Sequence, residues 1–363
     1  TVLRQGLEAL FAAGARQAGP GEFSKRAFLN GRMDLTQAEA VIDIIHAETP
    51  EAARNAVGQL SGAILRKTDE IYTSLVDICS HYHAVLDYPD EDIDDFQLKD
   101  YTETLDSAIV RLQALKDSFQ RGRIMTEGVR AAIIGKPNAG KSSLLNALLG
   151  YDRAIVTDVA GTTRDTIEER VRLGGVLLRL TDTAGIRETG DAIEKLGVDR
   201  ALSAAEAADL VIAVFDGSGP LTAEDEEAIH ATGQCAKRIA VINKSDQELV
   251  LKPDRFADLF SAVCILSAKE HTGLNTLEAA VTGLFPVPDA PVGEILTNAR
   301  QADAVSRALE SLCAAKDAIA LGVTPDAVLT ETEESMAALG ELTGKTIRED
   351  VTNRIFSRFC VGK

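Results

Sequence analysis

The spacing of hydrophobic residues divides the chain into two kinds of segment. Near both ends, apolar residues recur every three or four positions over long stretches, which is the pattern of amphipathic helices. The middle of the chain instead holds short, continuously apolar runs rich in β-branched residues, as in strands that are covered on both faces. These runs alternate with helical segments, so we predict a doubly wound α/β domain flanked by helices.

Helical spacing predicts helices in both flanks. Leu3, Leu7, Leu10 and Phe11 mark the first, and Thr36 with Glu39 three residues later has the form of a capping box. The longer predicted helices are Gln37–Glu48, Glu51–Val85, Phe96–Arg121, Asn298–Leu321, Asp326–Leu342 and Lys345–Arg358. An acidic cluster at residues 87–95 is interpreted as a solvated loop, with a metal site as the alternative.

Six apolar runs predict the strands of the central domain, and Gly174-Gly175 between two of them predicts a hairpin turn. The runs are Ala131–Ile134, Val171–Leu173, Val176–Thr181, Leu210–Phe215, Ile239–Ile242 and Val263–Leu266. We place the domains at residues 1–127 (helical, first part), 128–286 (α/β) and 287–363 (helical, second part). We expect the two helical flanks to pack on each other around an inserted α/β domain; two separate helical modules are the alternative.

One stretch of the central domain has the composition of a phosphate-binding loop. Gly135-Lys136-Pro137-Asn138-Ala139-Gly140-Lys141-Ser142 follows a strand-like run and precedes a helical pattern. In the pattern G-x-x-x-x-G-K-S, glycines let backbone N–H groups turn toward phosphate oxygens, and the following helix adds positive charge. We expect Lys141 to reach the β- and γ-phosphates and the Ser142 hydroxyl to bind Mg²⁺.

Four further motifs follow in the order that a GTPase requires. Ala160-Gly161-Thr162-Thr163-Arg164-Asp165 lies outside any strand or helix pattern, and a threonine there can close on Mg²⁺ and the γ-phosphate. Asp182-Thr183-Ala184-Gly185 ends a strand, so Asp182 can hold Mg²⁺ through water and the Gly185 N–H can meet the γ-phosphate. The other two motifs, Asn243-Lys244-Ser245-Asp246 and Ser267-Ala268-Lys269, also end strands.

The motif that contains Asp246 favours guanine over adenine. Its carboxylate can accept hydrogen bonds from guanine N1–H and the 2-amino group, whereas adenine would leave it unpaired. The segment Ser267–Lys269 can contact guanine O6. Each motif alone is compatible with an ordinary turn or cap, but five in this order at strand ends predict a GTP site.

The residue after the D-x-x-G motif is Ile186, where many GTPases have a glutamine that orients the attacking water. Isoleucine cannot do this, so the water-positioning group must come from elsewhere. Glu188, Asp191 and Glu194 follow in a charged stretch, and a solvated helix is the alternative for most of them.

Charge and cysteine content limit the partners and the compartment. With 56 Asp and Glu against 38 Lys and Arg, the net charge of −18 gives no overall attraction for nucleic acid. Contact with RNA would need a local basic patch. A basic run near the end suits either tRNA or an internal acidic partner: Lys345, Arg348, Arg354, Arg358 and Lys363. The five cysteines are scattered without C-x-x-C spacing, which favours a reducing cytoplasm over a disulfide frame or zinc site.

No apolar run approaches the ~20 residues that a membrane span needs, so we expect a cytoplasmic protein without membrane association. The chain has no signal-peptide pattern, and its first residue, Thr1, lies in a helical pattern. We therefore expect the chain to begin inside a longer protein.

Together these motifs resemble the tRNA-modifying GTPase family MnmE, also called TrmE. The resemblance covers the whole chain and rests on Pro20–Leu35, G-K-P-N-A-G-K-S-S, Thr157–Asp165, D-T-A-G-I-R-E and the terminal F-C-V-G-K at 359–363. The terminal box is the most specific element, with Val361 in place of the commoner isoleucine. The family's N-terminal folate-binding domain is expected to be missing from this chain.

The resemblance implies an activity, cofactors and partners. The family forms 5-carboxymethylaminomethyl-type groups on wobble uridine of tRNA, using GTP, Mg²⁺, K⁺ and a tetrahydrofolate one-carbon donor. It works as a homodimer with the flavoprotein MnmG (GidA), in a heterotetramer. Its G domains dimerise across their nucleotide faces when GTP and K⁺ are bound.

The resemblance also assigns a K⁺ site. The Asn138 amide oxygen matches the side-chain K⁺ ligand, and Thr157, Val159 and Thr162 match positions in the loop that completes the site. A K⁺ ion beside the phosphates would replace an arginine finger. Arg164 is the rival for this role, although a salt bridge within its own loop is the favoured interpretation.

Catalytic roles are implied for Lys141, Thr163 and Glu194. Ser142 and Thr163 match the Mg²⁺ ligands, and Glu194 matches the acidic residue that helps to position the attacking water. The resemblance and motifs together give the expected nucleotide-binding set: Asn138, Ala139, Gly140, Lys141, Ser142, Ser143, Thr157, Asp158, Val159, Ala160, Gly161, Thr162, Thr163, Asp182, Thr183, Ala184, Gly185, Asn243, Lys244, Asp246, Ser267, Ala268 and Lys269.

Three residues are expected to belong to the folate-dependent step. Cys360 resembles the family's C-terminal cysteine, which can act as a nucleophile or proton carrier, with a buried packing role as the alternative. Arg32 and Lys363 match basic positions that contact folate. The competing hypotheses are a switch or scaffold GTPase, in which hydrolysis only resets a binding surface, and, less well supported, a generic ATPase.

Overall fold

The computed structural model describes residues 2–87, 98–151, 169–180, 203, 205–233, 235–286 and 292–345. The chain forms two compact units. One comprises Thr1–Ala47, Ala52–Gly122 and Ala290–Lys363, and the other comprises Glu48–Glu51 and Arg123–Asp289. The sequence of a helical unit is therefore interrupted by that of an α/β unit, which confirms the predicted fold class.

The described helices and strands alternate in the middle of the chain only. The helices are α1 (Val2–Ala12), α2 (Glu22–Leu29), α3 (Leu35–His46), α4 (Pro50–Leu60), α5 (Ala63–Asp87), α6 (Leu98–Glu127), α7 (Lys141–Tyr151), α8 (Ala223–Thr232), α9 (Leu274–Leu284), α10 (Ala299–Ala320) and α11 (Pro325–Thr343). The strands are β1 (Val129–Ile134), β2 (Glu169–Leu173), β3 (Val176–Leu180), β4 (Leu210–Asp216), β5 (Arg238–Asn243) and β6 (Ala262–Ile265).

Both flanks contribute to the main core of the helical unit. Ile71 and Leu75 of α5 and Leu105 of α6 are buried in one cluster with Val305 of α10 and Leu339 of α11. A helix that buries an apolar face gains most of its stability from such packing. The expectation that the flanks pack on each other is therefore confirmed, and two separate helical modules are excluded.

The start of α3 differs from the prediction, because Asp34 and not Thr36 caps the helix. The Asp34 carboxylate accepts a hydrogen bond from the Gln37 N–H at 3.0 Å, and Gln37 Oε1 accepts one from the Asp34 N–H at 2.9 Å. Thr36 is fully buried and donates to Asp34 Oδ1. Glu39, predicted to close the box, pairs instead with Arg300. Asp is as good a cap as Ser or Thr, and it stands two residues earlier.

The helix predicted over Glu51–Val85 is wrong in one respect, since it consists of two helices, α4 and α5. Gly62 between them has a φ of 80°, a left-handed conformation that ends a helix and that glycine adopts at little cost. The other predicted helices agree within a few residues, apart from the end of Phe96–Arg121, since α6 continues to Glu127. Of the helix predicted over Lys345–Arg358, only Lys345 lies within the described residues. Most of the acidic cluster at 87–95 also lies outside them.

The α/β unit contains a six-stranded sheet with the order β2-β3-β1-β4-β5-β6. All neighbouring strands are parallel except β2 and β3, which form an antiparallel hairpin at the edge. The turn between them is Gly174-Gly175, with φ values of 55° and 86°, which confirms the predicted hairpin. All six predicted strands are present.

The sheet is covered on both faces, as the continuously apolar strands predicted. Residues 129, 131 and 133 of β1 pack with α7 and α9 on one face. Residues 132 and 134 pack on the other face with Val211 of β4 and Ala228 of α8. Because five strands are parallel, their carboxyl ends meet at one edge, where ligands bind in sheets of this kind. Among the described helices, none is long and apolar enough to cross a membrane.

A partly buried charge cluster anchors the first residues of the α/β unit at the opposite edge of the sheet. Asp209, just before β4, accepts hydrogen bonds from the Arg130 backbone and guanidinium at 3.0–3.1 Å and from Arg123 Nη2 at 3.0 Å. Burial raises the pKa of the Asp209 carboxyl, but the two arginines outweigh it and hold the pKa at about 2. The cluster therefore stabilises the folded unit through an ionised carboxylate.

We predict that Asp209→Asn lowers the free energy of unfolding of the α/β unit by about 1–3 kcal/mol at neutral pH. The folded-state pKa lies below the ordinary value, so this contribution is complete above about pH 4 and disappears as the pH falls through about 2. Urea denaturation of wild type and variant at decreasing pH measures the difference. The exposed Asp258→Asn is the matched control, and a difference that does not shrink on acidification would contradict the prediction.

Candidate functional site

The predicted motifs of the described chain meet at the carboxyl edge of the sheet. The phosphate loop follows β1, Asp216 ends β4, Asn243 ends β5, and Ser267 follows β6. β1, β4, β5 and β6 are consecutive in the sheet. The sheet therefore brings together groups that are more than 130 residues apart in sequence.

The backbone of the phosphate loop is held in a conformation that few residue types can adopt. Asn138 has a φ of 61° and Gly140 a φ of 100°. A Cβ at Gly140 would lie 2.0 Å from Asn243 Nδ2, so a side chain there would displace the asparagine. The second glycine of the motif is thus required by close approach as well as by its backbone angle.

Lys141 lies in the first turn of α7 and points back over the loop. Its Nζ donates hydrogen bonds to the carbonyl oxygens of Gly135 at 2.7 Å and Lys136 at 2.8 Å. Burial lowers the pKa of the Lys141 amine. Within the described chain, no carboxylate forms an ion pair with it. A partly buried cation paired only with carbonyls is suited to an anionic ligand, and the helix N-terminus at the same place adds to this preference.

The Asn243 side chain connects the phosphate loop to the loop after β6. Its Nδ2 donates to the Ala139 carbonyl at 3.0 Å, and its Oδ1 accepts from the Ala268 N–H at 3.0 Å. Asn243 is only 3% exposed. An amide is required here, because one end of the side chain must donate and the other must accept. The sequence motif predicted Asn243 at the site but not this bridging role.

Asp246 is exposed at the position predicted for guanine recognition. Ser267, which is fully buried, donates from Oγ to Asp246 Oδ1 at 2.6 Å and accepts from the Glu270 N–H at 3.2 Å. The hydrogen bond from Ser267 is the main cause that lowers the pKa of the Asp246 carboxyl. The carboxylate is therefore oriented and ionised, as acceptance of two guanine N–H groups requires.

Sequence reasoning missed Asp216, which positions Lys244 of the same motif. Lys244 Nζ donates to Asp216 Oδ2 at 2.6 Å, and Asp216 is held in turn by the Ser218 N–H and hydroxyl. Asp216 lies directly opposite Asn243 in the register of β4 and β5. A carboxylate that ends the strand next to a predicted motif was the available signal.

Some of the remaining predicted residues lie in the described part of the chain, and the others lie outside it. Ser142 and Ser143 lie in the first turn of α7, and Ala268 and Lys269 lie in the loop after β6. Arg32 is exposed in the turn between α2 and α3 of the helical unit. The following lie outside the described residues: Thr157, Asp158, Val159, Ala160, Gly161, Thr162, Thr163, Arg164, Asp182, Thr183, Ala184, Gly185, Ile186, Glu188, Asp191, Glu194, Cys360 and Lys363.

The described groups fit a guanine nucleotide. The cradle of Gly140 and Lys141 suits phosphate, and Asp246 suits the guanine N–H groups. The Ser142 hydroxyl at the helix start is the kind of oxygen ligand that Mg²⁺ takes beside nucleotide phosphates. This sheet, the loop of the G-x-x-x-x-G-K-S motif and the oriented carboxylate of Asp246 define a P-loop GTPase.

Comparison with known sequences identifies the family. The family described as MnmE helical domain matches residues 35–360. The tRNA modification GTPase MnmE of Acetivibrio thermocellus is 42% identical over 366 residues, covering 100% of this chain and 80% of that protein. That of Roseiflexus sp. is 43% identical over 373 residues with the same coverage. The chain therefore belongs to the family of tRNA modification GTPases MnmE, as its motifs suggested, and its cofactors include GTP and Mg²⁺.

Solved structures add a weaker likeness. The structure of Era in complex with MgGDPNP and nucleotides of 16S ribosomal RNA is 26% identical, covering 50% of this chain and 66% of that chain, with a TM-score of 0.33. The family assignment rests on the sequence matches and not on this similarity.

We predict that Ser267→Ala makes GTP binding more sensitive to acid. Loss of the hydroxyl removes the main cause of the lowered Asp246 pKa, so the carboxyl becomes protonated at a higher pH. A protonated carboxyl cannot accept both guanine N–H groups, and GTP affinity then falls at a higher pH than in wild type. Calorimetric titrations between neutral pH and about pH 4 measure the shift.

Ser261→Ala is the matched control for this experiment, because Ser261 is exposed and precedes β6, at the opposite end of that strand. Its pH profile should follow that of wild type. Parallel profiles for all three proteins would show that Ser267 does not set the protonation of Asp246.

Proposed function

We propose that this GTPase is activated by K⁺ and by pairing of its G domains, and that it acts with MnmG to form the 5-carboxymethylaminomethyl-type group on wobble uridine. The observation that supports the K⁺ site most is the state of Asn138. Its side chain is exposed in the phosphate loop at a φ of 61°, and no group of the described chain hydrogen-bonds to it. An amide oxygen is a suitable ligand for K⁺, which binds to oxygen dipoles.

The proposed K⁺ adds to the positive charge that Lys141 supplies at the loop. Lys141 is the loop cation proposed to face the phosphates, and its Nζ donates hydrogen bonds to the carbonyl oxygens of Gly135 and Lys136. When bound, K⁺ supplies a second positive charge where negative charge develops during hydrolysis, a role worth ~10³–10⁵ in rate when an arginine supplies it. Thr157, Val159 and Thr162 complete the proposed site, and Ser142 and Thr163 are the proposed Mg²⁺ ligands.

Glu194 is the group proposed to position the attacking water. It takes the role of the glutamine that many GTPases have at the position of Ile186. A carboxylate can orient a water molecule by accepting a hydrogen bond from its O–H group. Thr163 and Lys141 hold the γ-phosphate in this proposal. The nucleotide-binding set named from the sequence completes the site.

The folate-dependent step is proposed to use Arg32, Cys360 and Lys363 with a tetrahydrofolate derivative. Arg32 is exposed in a turn, where an anionic ligand can reach its guanidinium group. Cys360 is the proposed nucleophile or proton carrier. The proposed assembly is a homodimer that joins MnmG in a heterotetramer on tRNA, in the cytoplasm.

We predict that K⁺ raises the rate of GTP hydrolysis at least about tenfold over Na⁺ at matched ionic strength, well below the largest effects of arginine fingers. Asn138→Ala should lose most of this stimulation, because the proposed side-chain ligand is gone. Steady-state phosphate release in both salts measures it. The control is Asn275→Ala, an exposed asparagine on α9 beside the β2–β3 turn.

The concentration dependence of the same assay tests pairing. If two G domains must meet, the specific activity in K⁺ rises with protein concentration until the dimer saturates. Equal rates in Na⁺ and K⁺, with no concentration dependence, would exclude the proposal. The protein would then act as a conventional switch, with Arg164 or an external activator as the source of positive charge.

A further inference from the structure

The second residue of the phosphate loop, Lys136, is tied by its side chain to the start of α8. Lys136 Nζ donates to Asp225 Oδ2 at 2.8 Å and lies 3.3 Å from Thr222 Oγ1. The Lys136 side chain is 15% exposed and that of Asp225 only 2%. The pair is therefore largely shielded from water. Solvent and salt weaken its electrostatic attraction much less than that of a surface ion pair.

The carboxylate of Asp225 joins this lysine to the first turn of α8. Asp225 Oδ2 also accepts from the Thr222 N–H at 2.9 Å and hydroxyl at 2.8 Å, which closes the capping box of α8. The other oxygen, Oδ1, is buried and has no hydrogen-bond partner in the described part of the chain. Lys136 is the cation that pairs with this carboxylate in the same part of the chain. Removing one partner of a buried pair leaves an uncompensated charge, which is strongly unfavourable.

The backbone of Lys136 contacts the lysine that faces the phosphates. Its carbonyl accepts from Lys141 Nζ at 2.8 Å and from the Ala139 N–H at 3.4 Å. One residue thus links the buried carboxylate of Asp225 to the position of Lys141. A loop that is already held in its binding conformation loses less conformational entropy when the ligand binds.

We propose that Lys136 is a positioning residue for GTP binding and hydrolysis. Its ion pair with Asp225 fixes the phosphate loop against α8 and so holds the carbonyl that orients Lys141. The inference rests on the GTPase activity of the family and not on the proposed K⁺ site. Lys136 is the first variable residue of the G-x-x-x-x-G-K-S motif, and the motif itself assigns no role to this position.

The test compares the rate at which a fluorescent mant-GDP analogue dissociates from Lys136→Met, Asp225→Asn and the double variant. Asparagine at 225 keeps an oxygen that can accept from Thr222, so the helix cap is retained while the charge is lost. We expect each single variant to release the analogue about tenfold faster and to lower kcat. The double variant should be no faster than the singles, because both remove the same interaction. Lys136→Arg, which can still reach the carboxylate, should restore most of the wild-type rate.

Arg255→Met is the matched control, because it breaks an ion pair with Glu226, one residue further along α8, in which both side chains are more than half exposed. Its dissociation rate should stay within about twofold of wild type. If Lys136→Met and Asp225→Asn lower the melting temperature but leave dissociation and kcat at wild-type values, the pair is only structural and the proposal is wrong. Additive effects in the double variant would also overturn it.

The measurement is made in both Na⁺ and K⁺ buffers, so that this inference and the proposed K⁺ activation fail separately. Absence of K⁺ stimulation in wild type would refute the K⁺ proposal and leave the comparison of dissociation rates intact. Fast dissociation in the variants with unchanged K⁺ stimulation of hydrolysis supports Lys136 as a positioning residue that acts independently of the ion.

Discussion

The nucleotide site depends on the two hydrogen bonds of the buried Asn243 amide. One joins the phosphate loop through Ala139, and the other joins the loop after β6 through Ala268. The phosphates and the base of a nucleotide lie a fixed distance apart, so a site that recognises both must fix these loops relative to each other. Asn243 does this where water is excluded and unmet hydrogen bonds are costly. Gly140 is small because this side chain occupies the space beside it.

The parallel sheet makes this arrangement possible. β1, β4, β5 and β6 are neighbours whose carboxyl ends meet at one edge, so each strand delivers one short segment to the site. Two ion pairs then fix lysines of these segments, with Lys136 held by Asp225 and Lys244 held by Asp216. Lys141 is held by carbonyls instead, which leaves its charge for the ligand. The carboxylates thus pair with Lys136 and Lys244 and leave Lys141, the lysine of the G-K-S motif, without an ion pair in the described chain.

Local patterns predicted the features that depend on neighbouring residues. The apolar runs gave all six strands, the G-x-x-x-x-G-K-S spacing gave the phosphate loop, and Gly174-Gly175 gave the hairpin. Two local features were nevertheless missed: Asp34 caps α3 although Thr36 was available, and Gly62 breaks a continuous helical pattern. Asp216 and Asp225 were missed because their lysines are 28 and 89 residues away in sequence. No periodicity connects such partners.

The most direct test of the account is a calorimetric comparison of GTP and ATP binding to the protein, repeated with Asp246→Asn. We expect wild type to bind GTP at least about a hundredfold more tightly than ATP, because adenine leaves the carboxylate of Asp246 unpaired. Asparagine should weaken GTP binding and improve binding of xanthosine triphosphate, whose 2-oxo group can accept from the amide. Equal affinities for GTP and ATP, or an unchanged preference in the variant, would contradict the assignment of this edge of the sheet as a guanine-nucleotide site.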